Sequence, residues 1–167
     1  MEILFENKYT RDKEWAKDIY SYICFRRPII IVFDIIFALY ILIGIYNLIT
    51  LNIVNWSFIF IPVIWCVYIS FLYIRNVNTV INRDLEMHGK AIDVTVTVAE
   101  DMIKQSQSNS SEFQLNYSDI KKVVQTKKYI YLFSKTNLIY SFKRDSFSIG
   151  VADEFILFLK DKGMKVK

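Results

Sequence analysis

Residues 28–46, PIIIVFDIIFALYILIGIY, and residues 56–74, WSFIFIPVIWCVYISFLYI, decide how this chain is organised. Each is about 19 residues long. That is the length of helix needed to cross a hydrocarbon layer roughly 30 Å thick. The intervening 47–55 is uncharged and short, so two helices here must run antiparallel as neighbours. The expectation is a transmembrane helical hairpin, with everything else outside the bilayer.

The flanks orient the hairpin. Lys13, Lys17, Arg26 and Arg27 precede the first span, and Arg75, Arg83 and Lys90 follow the second. The connecting loop has no Lys or Arg. The bias of cationic side chains toward the cytoplasm then puts both termini inside and 47–55 outside, as an external loop. Tyr22, Phe25, Tyr46, Trp56 and Tyr73 stand at the edges, where aromatic rings prefer the headgroup level. A cleavable signal is not expected. About 27 largely polar residues precede the first span, and no small-residue cleavage site follows it.

Two positions inside the spans break the apolar pattern. Asp34 lies about 9 Å into the first helix at 1.5 Å per residue. A carboxylate there needs a partner, and Tyr68 or Ser70 of the antiparallel helix is the expected one. An ion or proton pathway is the alternative reading of Asp34. Pro62 sits one turn into the second span and is expected to bend it.

Of the 167 residues, 53% are hydrophobic, a high share concentrated in the two runs. The formal net charge of +4 is a mild excess carried by the flanks. It suits anionic headgroups and argues against nucleic acid, which needs a denser basic face. The two cysteines, Cys24 and Cys66, have neither metal-site nor disulfide spacing.

The two spans and the periodicity around them divide the chain into six parts: 1–27, 28–46, 47–55, 56–74, 75–90 and 91–167. Residues 1–27 predict a short strand around Ile3 to Tyr9, then a helix from Arg11 capped by Thr10. Trp15, Ile19, Tyr22 and Ile23 share one face of that helix. Residues 75–90 predict a helical linker continuing the second span, stopped by Gly89. At Ala91–Val98 the period changes to two: Ile92, Val94, Val96 and Val98 alternate with Asp93, Thr95 and Thr97. Further short strands are predicted at 102–105, 113–115, 120–125, 128–133 and 137–142. The tract 106–111 (SQSNSS) is a hairpin loop, and Val151–Lys162 is a closing helix. The fold class is therefore α+β: a membrane hairpin plus a small antiparallel sheet covered by a C-terminal helix.

The segments YSDIKKVVQTKKYIYLF at 117–133 and YSFKRDSF at 140–147, with the closing helix, resemble the YcxB-like family. These are bacterial membrane proteins with two spans and a cytoplasmic domain like the pleckstrin-homology (PH) fold. Phe142 stands where the family pattern has Pro. The resemblance covers about Asp93 to Leu159 in its domain and extends to the order of the spans. It implies a PH-like domain over 91–167 and a multi-pass location in the bacterial cell (inner) membrane. It brings no activity with it.

Chemistry is sparse. His88 is the single histidine and falls in the polar linker. Carboxylate pairs, nucleophile elbows, phosphate-cradling glycine loops and metal spacings are missing from the sequence. No catalytic residue, cofactor or metal is expected, and the chain reads as a non-enzyme. The candidate binding residues are basic: Lys121, Lys122, Lys127, Lys128, Lys143 and Arg144, which could meet anionic headgroups if they share an edge. The leading expectation is an interaction module for a protein partner or lipid, with a homo-oligomer built on the hairpin as one arrangement. Immunity against a membrane-active bacteriocin or toxin is the alternative. A transport or channel component, resting on Asp34, comes third.

Overall fold

The computed structural model describes residues 2–51, 54–108 and 112–166. The element order is β1(Phe5–Arg11), α1(Lys13–Phe25), α2(Pro28–Leu51), α3(Ser57–His88), β2(Ile92–Val98), β3(Met102–Gln107), β4(Glu112–Asn116), β5(Ile120–Gln125), β6(Tyr129–Ser134), β7(Ile139–Lys143), β8(Phe147–Ile149) and α4(Ala152–Asp161). The chain is α+β, with two antiparallel sheets among the described residues. It divides into two compact units. The first joins Met1–Asp18 to Arg83–Lys167, and the second is Ile19–Asn82.

The second unit holds the helical hairpin. α2 and α3 are long and apolar enough to cross a membrane, by length and composition. The apolar run of α2 continues to Leu51, past the expected end at Tyr46. α3 continues through the polar stretch to His88, with Pro62 inside it. Gly44 is a point of close approach. A Cβ there would lie 2.5 Å from Cβ of Phe58, so only glycine lets the two backbones come this near. The Trp65 indole sits 5.2 Å from the Phe33 ring and 5.4 Å from that of Phe37. Its Nε1 donates to Oδ1 of Asp34 at 3.0 Å. The partner of Asp34 is thus Trp65, about one helical turn from Tyr68. The long indole reaches the carboxylate that a serine or phenol was expected to meet. Residues 52 and 53 of the connecting loop lie outside the described residues.

In the first unit, β2 follows the period-two pattern: Ile92, Val94, Val96 and Val98 are buried and Asp93 is exposed. Its neighbours are not those of a simple meander. The larger sheet has the order β4-β3-β2-β1-β8, and the smaller has β5-β6-β7. β1 pairs with β2 from Phe5↔Val98 to Arg11↔Ile92 and with β8 on its other side. The N-terminal strand therefore belongs inside the sheet expected from 91–167 alone. That sheet is two sheets because β6 is buried at all of its positions. A strand buried on both faces needs layers on both sides, which a one-sided meander does not provide.

Asn7 ties the two sheets together. Fully buried in β1, it donates from Nδ2 to the Lys143 carbonyl at 2.8 Å and accepts from the Lys143 N–H at 2.9 Å. One amide side chain so acts as a strand partner for the end of β7. α4 closes the unit with aromatic packing. Phe155 lies 4.4 Å from Phe142 and 5.3 Å from Phe5, ring to ring.

β1 runs further than expected, so the start of α1 moves. Asp12, not Thr10, caps the helix, accepting from the Trp15 N–H at 2.9 Å. Thr10 remains in the strand, and its hydroxyl donates to Asp93 across the β1–β2 pair at 2.8 Å. The first turns of α1 then meet the smaller sheet. Trp15 Nε1 donates to Ser141 Oγ at 3.0 Å, and the hydroxyls of Thr126 and Tyr131 both donate to Asp18.

Candidate functional site

The six expected cations do not form one edge. Lys128 and Lys143 converge on Glu14 of α1, Lys143 at 3.7 Å. The hydrogen bond from Lys128, backed by its charge, holds the Glu14 carboxyl below the usual range. Arg144 donates to Gln125 at 2.8 Å and lies 3.6 Å from Asp153. Lys127 is exposed in the turn between β5 and β6. Lys121 and Lys122 line a cavity, and there they meet two lysines that the strand pattern did not single out.

That cavity has a volume of about 480 Å³ and is lined by Tyr117, Ile120, Lys121, Lys122, Lys162, Gly163, Met164 and Lys165. Half of this lining is lysine and none of it is acidic. Two local departures from regular structure build it. In a plain strand, Lys121 and Lys122 would point to opposite faces. The β5–β6 register shifts between Ile120 and Lys122, which makes Lys121 the extra residue of a bulge. Adjacent lysines can then share one rim.

The opposite rim comes from the end of α4. The Gly163 N–H donates to the Lys160 carbonyl at 2.8 Å, and the Met164 N–H to the Leu159 carbonyl at 3.1 Å. This 5→2 and 6→1 pair is a Schellman motif, with Gly163 in the left-handed region at φ 82°. The chain reverses there and runs back beside β5, where Val166 forms a parallel bridge with Val123. Lys162 and Lys165 are thereby held across from Lys121 and Lys122.

Tyr117 forms the floor. It occupies a 3₁₀ turn, Tyr117–Asp119, and its hydroxyl donates to the Ala99 carbonyl. Burial, with Asp101 nearby, pushes the phenol well above its ordinary range, so it stays neutral. Nζ of Lys162 lies 5.5 Å from the Tyr117 ring and 5.4 Å from that of Phe158. Lys122 lies over Phe133 at 4.4 Å. Among the described residues, Lys121, Lys162 and Lys165 have no carboxylate within ion-pair distance. The signal in sequence was available: Lys160, Lys162 and Lys165 cluster about Gly163. It carried no weight because nothing local says that this tail returns to β5.

The hairpin has a smaller cleft of about 80 Å³ between Ile41, Gly44, Leu48 and Phe58. Its lining is almost wholly apolar, with Asn55 the polar side chain among the lining residues. Groups of three or more His, Cys, Asp or Glu side chains able to hold a metal are absent among the described residues.

Residues 99–159 match the model of the family described as YcxB-like protein. The YcxB-like stretch begins at the turn before β3 and ends inside α4, close to the extent read from the sequence motifs. It contains the Tyr117–Lys122 rim of the cavity, while β1, β2 and the Lys162–Lys165 rim lie beyond it. No curated protein and no solved structure matches the chain.

Proposed function

We propose that this chain is a non-enzymatic bacterial membrane protein that works as a binding module held at the inner membrane. In this reading α2 and α3 cross the bilayer as a hairpin with both termini in the cytoplasm. The strand-rich unit is a PH-like domain that engages a protein or an anionic headgroup. The observation that carries the reading is the surface of the two long helices. None of the most apolar window of α2 is buried, and only 11% of that of α3. A core helix of a soluble protein would hide such a face, since that much apolar surface is costly in water.

The YcxB-like stretch supports the bacterial setting, and the cationic flanks support the orientation. Among the described residues that line the cavity there is no nucleophile–base pair and no acidic side chain, which favours binding over reaction.

The test is alkaline extraction of membranes from cells expressing the full chain, followed by affinity capture from neutral detergent. Retention in the membrane pellet and capture of a stoichiometric protein or lipid support the module. Release into the alkaline supernatant removes the anchor from the reading. Capture of nothing but the chain itself leaves a homo-oligomer and removes the module.

A further inference from the structure

We infer that the face of the hairpin around Asp34, Trp65 and Tyr68 is the contact surface for a second copy of this chain within the bilayer. The inference rests on the membrane-spanning reading of α2 and α3 and adds a partner to it.

The argument begins with a carboxylate that is only half satisfied. Asp34 lies inside the apolar run of α2 and is exposed. One of its oxygens accepts from the Trp65 indole at 3.0 Å. Among the described residues no cation stands within ion-pair distance of it, and no second donor meets it. In water the open oxygen would be solvated. Hydrocarbon offers no such solvent, so a carboxylate turned toward lipid is strongly disfavoured.

A matching donor lies on the same surface. Tyr68 is 52% exposed, and its ring lies 6.4 Å from the Trp65 ring. Its hydroxyl has no hydrogen-bond partner among the described residues. The register of the hairpin sets the depth of both groups. Phe37 packs against Trp65, and Gly44 against Phe58. Asp34 is one turn back from Phe37, and Tyr68 is one turn on from Trp65. Antiparallel helices in this register carry Asp34 and Tyr68 at one level.

Equal depth decides the occupant. A two-fold axis along the bilayer normal keeps every residue at its own level. It brings Asp34 of one copy level with Tyr68 of the other, and the reverse. Each face then supplies the donor that the other lacks and the acceptor that the other needs. The result is two equivalent phenol-to-carboxylate hydrogen bonds across the contact. Trp65, with Phe33 and Phe37 against it, forms the aromatic patch beside them. An unrelated partner would have to bring its own donor to this depth, whereas a second copy already has one.

The experiment is sedimentation equilibrium of the full chain in density-matched micelles of a neutral detergent, run beside alkaline extraction of the membranes that supply it. The expected result is a reversible monomer–dimer equilibrium. Asp34→Ala removes both acceptors of the symmetric pair and is expected to raise the dimer Kd about tenfold or more. Tyr68→Phe deletes only the two hydroxyls and is expected to raise it about fivefold or more. The double variant should lose little beyond Asp34→Ala, because the two changes remove the same bonds. Tyr46→Phe deletes a hydroxyl about 18 Å further along α2 at 1.5 Å per residue, and is expected to leave the Kd unchanged. If Asp34→Ala loses helix content by circular dichroism, the comparison of Tyr68→Phe with Tyr46→Phe carries the test.

The inference is overturned by a chain that stays monomeric at every concentration, by a dimer whose Kd ignores both single variants, or by additive losses in the double variant. Such a result, with the chain retained in the alkaline pellet, removes this contact and leaves the anchor. Release into the alkaline supernatant removes the anchor and the contact with it.

Discussion

The hairpin and the strand-rich unit solve the problem of apolar surface in opposite ways. In α2 no residue is buried, and Leu42 is 60% exposed. In β6 every side chain is buried, and Tyr129, Ile130, Tyr131 and Leu132 are fully so. Polar groups follow the same division. The hairpin carries one carboxylate within its apolar runs, held by one indole. The strand-rich unit spends many polar side chains on joining its layers: Asn7 to Lys143, Trp15 to Ser141, Asp18 to Thr126 and Tyr131, Arg11 to Asp84. The difference teaches that apolar content alone does not locate a core. The surroundings that each region requires decide which way its side chains turn.

The sharpest way to break the comparison is to truncate one large apolar side chain in each region. Phe142→Ala removes a fully buried ring packed on Phe155 and Phe147. It is expected to destabilise the strand-rich unit by about 3–5 kcal/mol. Leu42→Ala removes an outward-facing side chain and is expected to change helix content and thermal stability in micelles by less than about 0.5 kcal/mol. Comparable losses in chemical denaturation would mean that α2 has a buried face after all.

A smaller effect is expected at the joint between the sheets. Asn7→Ala removes both side-chain bonds to Lys143 and leaves a part-buried N–H and carbonyl of that residue without them. The expected cost is about 2–4 kcal/mol, from two orphaned backbone groups. Amide exchange should accelerate in β7 more than in the β2–β3 pair. Unchanged protection at Lys143 would show that the joint does not depend on Asn7.

The gentlest probe is alkaline pH, which acts on the strand-rich unit through its tyrosines. Burial pushes Tyr9 up to about 12, and raises Tyr117, Tyr129, Tyr131 and Tyr140 as well. A group whose pKa is higher in the folded state favours folding fully below its unfolded value, here 10.0. Above it the unfolded chain ionises first, so stability falls as pH rises from about 10 toward about 12. The melting temperature of the strand-rich unit should be level from pH 8 to 9 and should drop by pH 11. A flat profile across that range would mean that these phenols reach water.

Local pattern was legible in the sequence where one side chain's neighbours lie within a few residues. The apolar runs marked α2 and α3, the alternation at 92–98 marked β2, and Gly89 marked the end of α3. The cap of α1 was misplaced by two residues, because Thr10 and Asp12 are both good caps and only the β1–β2 register separates them. The cavity was half legible. Lys121 and Lys122 stood out as a basic pair, but Lys162 and Lys165 belonged to a tail with no visible destination.

Composition and period by themselves therefore determined the two long apolar helices and the strand-rich remainder, because those properties are set by each residue and its near neighbours. Tertiary structure alone decided that β1 enters the larger sheet beside β2, that Trp65 answers Asp34, and that four lysines surround one cavity. Those outcomes depend on pairings across 30 to more than 80 residues of sequence. Such pairings are chosen by the packing of whole layers, and no local periodicity encodes them.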